Sequence, residues 1–124
     1  MSPVNDELTE KIIACAYQVS NILGCGFLEK VYENALAHEL KTGGIKVTQQ
    51  APIRVSYAGV AVGEYMADLV VDDRVILELK AVSELDDVRS AQTLNYLKAT
   101  GLKVALLLNF GKPKVDIRRF VNRF

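Results

Sequence analysis

The sequence contains YMADLVVDDRVILELKA at residues 65–81, a stretch with the pattern of a β-hairpin. Two runs rich in Val, Ile and Leu flank Asp72-Asp73-Arg74, whose residue types are common in turns, so two antiparallel strands are predicted. With these three residues as the loop, one face of the hairpin is entirely apolar, as a core requires. The predicted pairs on that face are Val71 with Val75, Leu69 with Leu77, and Ala67 with Leu79.

The opposite face of this hairpin is predicted to carry charge. Asp68 lies opposite Glu78 there, and Lys80 points to the same side two residues further along. Directly opposed Cβ atoms are roughly 5 Å apart, and like charges so placed are destabilising, which favours a cation between the carboxylates. Two carboxylates beside an ammonium suit Mg²⁺, or Mn²⁺ as its substitute, together with a phosphate. The alternative is a hairpin with a charged, solvated face.

Length and composition indicate one compact α/β domain over residues 1–124, because half of the residues are hydrophobic and 24% are charged. No apolar stretch is long enough to span a bilayer and no signal-peptide pattern begins the chain, so we expect a cytoplasmic protein without a membrane partner. Cys15 and Cys25 are too few and too irregularly spaced for a disulfide framework, so we expect reduced thiols. His38 is the only histidine, which disfavours a Ser-His-Asp triad.

The formal net charge is zero, which argues against a protein that holds nucleic acid by electrostatics alone. The C-terminal part is nevertheless basic, with Asp116 as the one acidic residue after position 97. The basic residues there are Lys98, Lys103, Lys112, Lys114, Arg118, Arg119 and Arg123. This bias indicates either a solvated face or contacts with a phosphate backbone, for which Arg118 and Arg119 are our candidates.

Two helices are predicted before the hairpin. The first has Asn5 as its N-cap and ends at Gly24, and the second covers residues 27–41. The apolar positions of the first are Leu8, Ile12, Ala16, Val19 and Leu23, and those of the second are Leu28, Tyr32, Ala35, Leu36 and Leu40.

Residues 45–71 are predicted to form strands with a turn at Ala58-Gly59. Pro52 places the first strand at a sheet edge or at a bulge, and Gly63 indicates another irregularity. A third helix follows, with Ser83 or Asp86 as its cap and Gly101 as its end.

The apolar run LKVALLLNF at residues 102–110 predicts a strand that is covered on both faces. The tail that follows is compatible with a strand or a short amphipathic helix. The predicted fold is therefore a mixed central β-sheet flanked by helices, in the order helix, helix, three strands, helix, strand and tail element.

Two motifs carry a resemblance to known proteins. Asp68 followed by Glu78-Leu79-Lys80 resembles the PD-(D/E)XK nuclease superfamily, although Ala67 stands where a proline often precedes the aspartate. The segment from Gly26 to Tyr32 has the pattern Gly-x-x-Glu-x-x-Tyr and is similar to the bacterial GxxExxY proteins, a family assigned to that superfamily. Further similar segments are EYMADLVVDD, VILELKAV, AQTLNYLKATG and LLLNFG.

The resemblance implies a restriction-endonuclease-like core and Mg²⁺-dependent hydrolysis of phosphodiester bonds, with DNA expected in preference to RNA. Asp68, Glu78, the Leu79 carbonyl and Glu29 would bind the ion, with Glu33 as the alternative to Glu29. Lys80 would orient or deprotonate a water and stabilise the developing negative charge.

Gln92 and Tyr96 are spaced as in a motif that follows the Glu-x-Lys strand in RecB-like nucleases. The resemblance assigns Gln92 to arranging the site and Tyr96 to the substrate, whereas both residues, like Tyr32, also suit a purely structural role. The resemblance further implies a homodimer. The alternative function is a nuclease fold without catalysis that binds nucleic acid or a protein partner.

Overall fold

The computed structural model describes residues 6–122, so the predicted cap Asn5 and the basic residue Arg123 lie outside the described part. The elements follow the predicted order, and the tail forms a strand. They are α1 (Asp6–Leu23), α2 (Glu29–Thr42), β1 (Val47–Tyr57), β2 (Val60–Val71), β3 (Val75–Lys80), α3 (Asp87–Thr100), β4 (Val104–Asn109) and β5 (Asp116–Val121).

The five strands form one sheet in the order β1-β2-β3-β4-β5. β3 and β4 are parallel and the other neighbouring pairs are antiparallel, so the sheet is mixed, as predicted. Buried residues of α1 and α2 pack on one face, and those of α3 pack on the other. All six residues of β4 are buried, which confirms a strand covered on both faces. Among the helices between residues 6 and 122, none is long and apolar enough to cross a membrane.

The helix ends follow the predicted signals, except that α2 begins at Glu29 and not at residue 27. Gly24 and Gly101 have left-handed φ values of 68° and 73° and end α1 and α3, because glycine adopts that conformation without strain. Asp86 caps α3 by accepting a 3.0 Å hydrogen bond from the backbone N–H of Arg89. Leu28 was predicted to be in the core, but it is 81% exposed, because it precedes α2 as an extended N-cap residue.

The β1–β2 hairpin is irregular where the sequence indicated. Its turn residues Ala58 and Gly59 both have positive φ, as a type I′ turn requires. The register shifts between Val55 and Ser56, opposite Gly63, so β2 carries an extra residue there. β1 is an edge strand, and this position tolerates Pro52.

The β2–β3 register agrees with the prediction only near the turn. The confirmed pairs are Val71 with Val75 and Leu69 with Leu77. The predicted pairing of Ala67 with Leu79 is wrong, because the regular ladder between the two strands ends at Leu69 and Leu77. Leu79 packs with α1 and α2, whereas Ala67 packs on the α3 side.

The side chains of the β1–β2 hairpin switch from one face of the sheet to the other at Gln50 and Asp68. Before this point along β1, Val47 packs with α1 and α2, and after it Ile53 packs with α3, although the two residues have the same parity. Gln50 has a left-handed φ of 52°, which breaks the regular alternation of side chains. Asp68 lies at the corresponding place in β2, and the ladder between β2 and β3 ends beside it, at Leu69 and Leu77.

Candidate active site

Asp68 and Glu78 are joined across the opened strands by side chain to backbone hydrogen bonds. The N–H of Asp68 donates to Oε2 of Glu78 at 2.9 Å, and the N–H of Leu79 donates to Oδ2 of Asp68 at 2.8 Å. The carboxylates thus take backbone donors that a continued ladder would have used. This exchange holds both side chains at the place where β2 and β3 separate.

Burial and charge both act on these two carboxyl groups. Glu78 is only 8% exposed, and its burial, together with the charge of Asp68, raises its pKa to about 8. Burial is also the main cause that raises the pKa of Asp68, with a further contribution from the charge of Glu33. The charge of Lys80 lowers both pKa values, but burial and the acidic neighbours outweigh it. Lys80 therefore does not fully compensate the negative charge of the pair.

Lys80 follows Glu78 by two residues and stands opposite Asn109 of β4. Within residues 6–122 its ammonium forms no ion pair or hydrogen bond, although it is close enough to influence both carboxyl groups. A cationic group is thus held beside the two acids and keeps its hydrogen-bond donors available.

The chain beyond Lys80 is fixed by Asn109 and Gly111, two residues to which the sequence analysis gave no role. The fully buried amide of Asn109 accepts from the N–H of Val82 at 3.1 Å and donates to the Val82 carbonyl at 2.9 Å. A Cβ at Gly111 would lie 2.3 Å from that same carbonyl oxygen, so only glycine fits there. The segment LLLNFG, one of those similar to the GxxExxY proteins, was the one sequence signal for this contact of Asn109 and Gly111 with Val82.

The two glutamates of α2 have different environments. Glu29 is exposed in the first turn, and its charge contributes to the raised pKa of Glu78. Glu33 is 4% exposed and accepts hydrogen bonds from Lys30 at 3.1 Å, Gln49 at 2.8 Å and Gln50 at 2.9 Å.

Gln50 connects Glu33 to the predicted site, because the same amide nitrogen lies 2.9 Å from Oε1 of Glu33 and 3.4 Å from Oδ1 of Asp68. This bridge was not predicted. Its position depends on the left-handed backbone of Gln50, which no local sequence signal indicated.

The carboxylate oxygens of the site suit a hard cation such as Mg²⁺, but they are fewer than a full ligand set. In the described region, no group of three or more Asp, Glu, His or Cys side chains is arranged to hold a metal, so Glu29 does not complete a three-acid set with Asp68 and Glu78. These two carboxylates remain as the ligand pair. Oε1 of Glu78 accepts no hydrogen bond from residues 6–122, so it keeps its acceptor capacity for a ligand. Carboxylate oxygens are preferred ligands of Mg²⁺.

Tyr32, the last residue of the Gly-x-x-Glu-x-x-Tyr pattern, has structural contacts. It is fully buried, its hydroxyl donates to the Gly24 carbonyl at 2.7 Å, and the same oxygen accepts from the N–H of Phe27 at 3.2 Å. Its ring stacks on Phe110 at 4.7 Å. Tyr32 therefore fixes the loop that leads into α2, where Glu29 lies.

Gln92 and Tyr96 lie on α3 and line a cavity of about 490 Å³ between this helix and the β1–β2 hairpin. The rings of Tyr96 and Tyr65 are 5.8 Å apart, and Tyr65 precedes Asp68 by three residues in β2, so the cavity adjoins the acidic pair. Burial first, and then the charges of Glu78 and Asp68, raise the pKa of Tyr96. Among the described residues, the Gln92 side chain has no hydrogen-bond partner. The structure brings Gln92 and Tyr96 together in one cavity, and the role of Gln92 in arranging the site stays a prediction.

Arg118 and Arg119 point to opposite faces of the sheet, as consecutive residues of β5 must. Arg118 is paired with Leu107, which is paired with Glu78, and it donates to Oγ of Ser90 in α3 at 3.4 Å. Arg119 is on the α1 and α2 side. The two arginines therefore do not form one continuous basic track.

The family described as the PD-(D/E)XK nuclease superfamily has a model that matches residues 6–120. Two solved proteins are similar in fold. The structure of SSO0001 is 16% identical with a TM-score of 0.60 and is aligned over 97% of this chain and 60% of its own, so the present chain spans about three-fifths of that protein. LHK-Exo, an alkaline exonuclease from Laribacter hongkongensis, in its complex with dAMP is 14% identical with a TM-score of 0.50, over 92% of this chain and 82% of its own. No curated protein matches the sequence.

Proposed function

Because the chain belongs to the PD-(D/E)XK nuclease superfamily, we propose that it is a nuclease that hydrolyses phosphodiester bonds with Mg²⁺, and acts on DNA in preference to RNA. We assign it to the GxxExxY proteins within that superfamily. The observation that carries the proposal is the meeting of the Asp68 and Glu78 carboxyl groups beside Lys80, where the backbone of β2 and β3 separates.

The ligand pair of the proposed site is Asp68 and Glu78, with the Leu79 carbonyl as a further oxygen donor. Glu29 would reach the ion through a water or after a side-chain rotation, since it is exposed and does not stand within a three-acid group. A bound Mg²⁺, or Mn²⁺ in its place, supplies polarisation of the phosphate and a water of lowered pKa. Positive charge at this place also relieves the repulsion that raises the carboxyl pKa values.

Lys80 is the proposed catalytic cation. Its unpaired ammonium can donate a hydrogen bond to the attacking water and stabilise negative charge that develops on the phosphate. Asn109 and Gly111 hold the chain just after Lys80, so they act as positioning residues. Gln92 is assigned to arranging the site and Tyr96 to the substrate, and both line the cavity beside the site.

The assembly proposed for cleavage of both strands of a duplex is a homodimer, because one chain offers one such site. Arg118 is the better placed of the two tail arginines for substrate contact, since its register puts it on the Glu78 side of the sheet. Light scattering would establish the oligomeric state.

The experiment that tests the proposed function is a cleavage screen over single-stranded, duplex and branched DNA and RNA, with Mg²⁺, Mn²⁺ or EDTA. We expect cleavage of DNA that EDTA stops and that Glu78→Gln and Lys80→Gln abolish. Glu64→Gln is the matched control, because Glu64 is an exposed glutamate of β2 outside the site. Binding of nucleic acid without any cleavage would instead support a non-catalytic nuclease fold.

A further inference from the structure

The cavity beside the carboxylates has the dimensions and surfaces of a small-ligand site. Its volume of about 490 Å³ lies within the roughly 300–1,000 Å³ usual for such sites. One wall is the outer part of the β1–β2 hairpin and the other is the C-terminal half of α3.

Two tyrosines give the cavity an aromatic surface. The rings of Tyr65 and Tyr96 are 5.8 Å apart at an angle of 47°. Tyr96 is buried, whereas Tyr65 is 48% exposed, so part of the Tyr65 ring is accessible to a ligand. A planar, aromatic group such as a nucleobase can stack on such a ring whatever its identity.

The charged residues of the lining are basic. Arg54 reaches it from β1 and Lys98 from α3, and no acidic residue of the described chain lines it. Asp68 and Glu78 are not among the lining residues. The charges of Arg54 and Lys98 therefore favour an anionic ligand, and a phosphate suits the planar guanidinium of Arg54.

Two amide side chains complete the lining. Gln92 and Asn95 are exposed, and neither makes a hydrogen bond to any residue between 6 and 122. Each offers a donor and an acceptor at a fixed place on α3. These groups match the donors and acceptors on the edge of a base, whereas an inorganic phosphate would use only their N–H donors.

We propose that this cavity binds one unpaired nucleotide next to the scissile phosphate, with its base against Tyr65 and its phosphate at Arg54 and Lys98. A base inside a duplex is paired and stacked on both sides, so only an unpaired or displaced base can enter. The enzyme therefore acts on single-stranded segments or frayed ends. This inference rests on the proposed function for nucleic acid as the substrate class. The cavity accounts for the preference for an unpaired nucleotide.

An NMR titration of the ¹⁵N-labelled protein with 2′-deoxyadenosine 5′-monophosphate, in EDTA, tests the site without any need for catalysis. We expect the side-chain amide signals of Gln92 and Asn95 to shift. Tyr65→Leu should weaken binding about five-fold or more, the lower end of the range for loss of one stacked base. Tyr57→Leu is the control, because Tyr57 lies on the same hairpin, is 75% exposed and does not line the cavity.

Two comparisons separate base binding from simple charge attraction. 2-Deoxyribose 5-phosphate, which lacks the base, should bind more weakly than the nucleotide and should not respond to Tyr65→Leu. Arg54→Gln should weaken both ligands, whereas Lys41→Gln, which removes one exposed positive charge at the end of α2, should change neither.

The proposal is overturned if millimolar nucleotide shifts no signal of the cavity, or if Tyr65→Leu and Tyr57→Leu bind equally. The outcome is separate from that of the cleavage screen. Nucleotide binding that depends on Tyr65, without cleavage of any substrate, would leave the cavity site standing and remove the proposed activity. Cleavage that depends on Glu78, with no nucleotide in the cavity, would support the proposed activity and overturn the cavity site.

Discussion

The backbone N–H of Asp68 donates a 2.9 Å hydrogen bond to the Glu78 carboxylate, so the two acids are bound across the point where their strands separate. A regular ladder would have placed them as an opposed pair on a flat face. The observed arrangement instead buries Glu78 and holds Asp68 by the N–H of Leu79. Holding the two like charges together raises the free energy of the folded state, and a bound cation would lower it.

The raised pKa of Glu78 predicts that metal-free protein loses stability as the pH rises. Its pKa increases from 4.5 to about 8 on folding, so between these values the folded state binds more protons than the unfolded state and stability falls with pH. In EDTA, the melting temperature of the parent relative to Glu78→Gln should therefore drop by several degrees across this range, at roughly 4 °C per kcal/mol. Glu64→Gln should retain the parental pH dependence. A constant difference between parent and Glu78→Gln would contradict this explanation.

Substitution of Gly111 should destabilise the fold at the contact of Gly111 with Val82, just after Lys80 in the chain. A Cβ there would lie 2.3 Å from the Val82 carbonyl oxygen, and backbone atoms cannot move aside as a flexible side chain can. We expect Gly111→Ala to lower the free energy of unfolding, measured in urea, by about 3 kcal/mol, which is the upper end of the usual effect of overpacking.

Gly63→Ala is the matched control for this experiment, since its Cβ would meet only the Tyr65 ring, at 3.7 Å. Its free energy of unfolding should change by less than about 1 kcal/mol. Equal stabilities of the two variants would show that the close approach at Gly111 is not maintained in solution.

Tyr32 and Glu29 belong to one sequence pattern but should behave differently on substitution. Tyr32→Phe removes the hydroxyl that bonds Gly24 and Phe27, so it should cost about 1–2 kcal/mol and leave Mg²⁺ affinity unchanged. Glu29→Gln should leave stability unchanged and weaken Mg²⁺ binding, because Glu29 is exposed and its charge acts on Glu78. Calorimetry and thermal melting of both variants would test this division. The reverse pattern would assign metal binding to Tyr32 and structure to Glu29.

The sequence predicted those parts of the fold that depend on periodicity and on glycine. The apolar run of β4, the turn at Ala58-Gly59 and the cap at Asp86 each have a local signal, and all three are confirmed. The pairing of Ala67 with Leu79 was wrong because a register extended from a turn assumes a regular ladder, and this ladder ends where carboxylates take its donors.

The surroundings of the site were less accessible from the sequence. Gln50 contacts Asp68 only because its backbone is left-handed, and Asn109 meets Val82 across parallel strands that α3 separates in the chain. Both contacts depend on tertiary structure, so no local pattern could indicate them. The motif residues Asp68 and Glu78 could be found because their spacing is set by one hairpin.

Arg118 and Arg119 should differ in their effect on nucleic-acid binding. Arg118 lies on the Glu78 side of the sheet, so Arg118→Ala should flatten the plot of log affinity for single-stranded DNA against log salt by about 0.7, the value for one lost phosphate contact with a single strand. Arg119→Ala is the matched control on the opposite face and should keep the parental slope. Fluorescence anisotropy of labelled DNA at several salt concentrations would measure both, and identical slopes for the two variants would remove Arg118 from the substrate site.

A calorimetric titration of metal-free protein with Mg²⁺ tests the central claim most directly. Below pH 8 we expect a single Mg²⁺ to bind with release of protons, because the ion must displace the proton that Glu78 retains. Repeating the titration in buffers of different ionisation enthalpy measures that release. Asp68→Asn and Glu78→Gln should abolish the binding, and Glu64→Gln should preserve it. Unchanged Mg²⁺ affinity in Asp68→Asn and Glu78→Gln would contradict the assignment of these two carboxylates to a metal site.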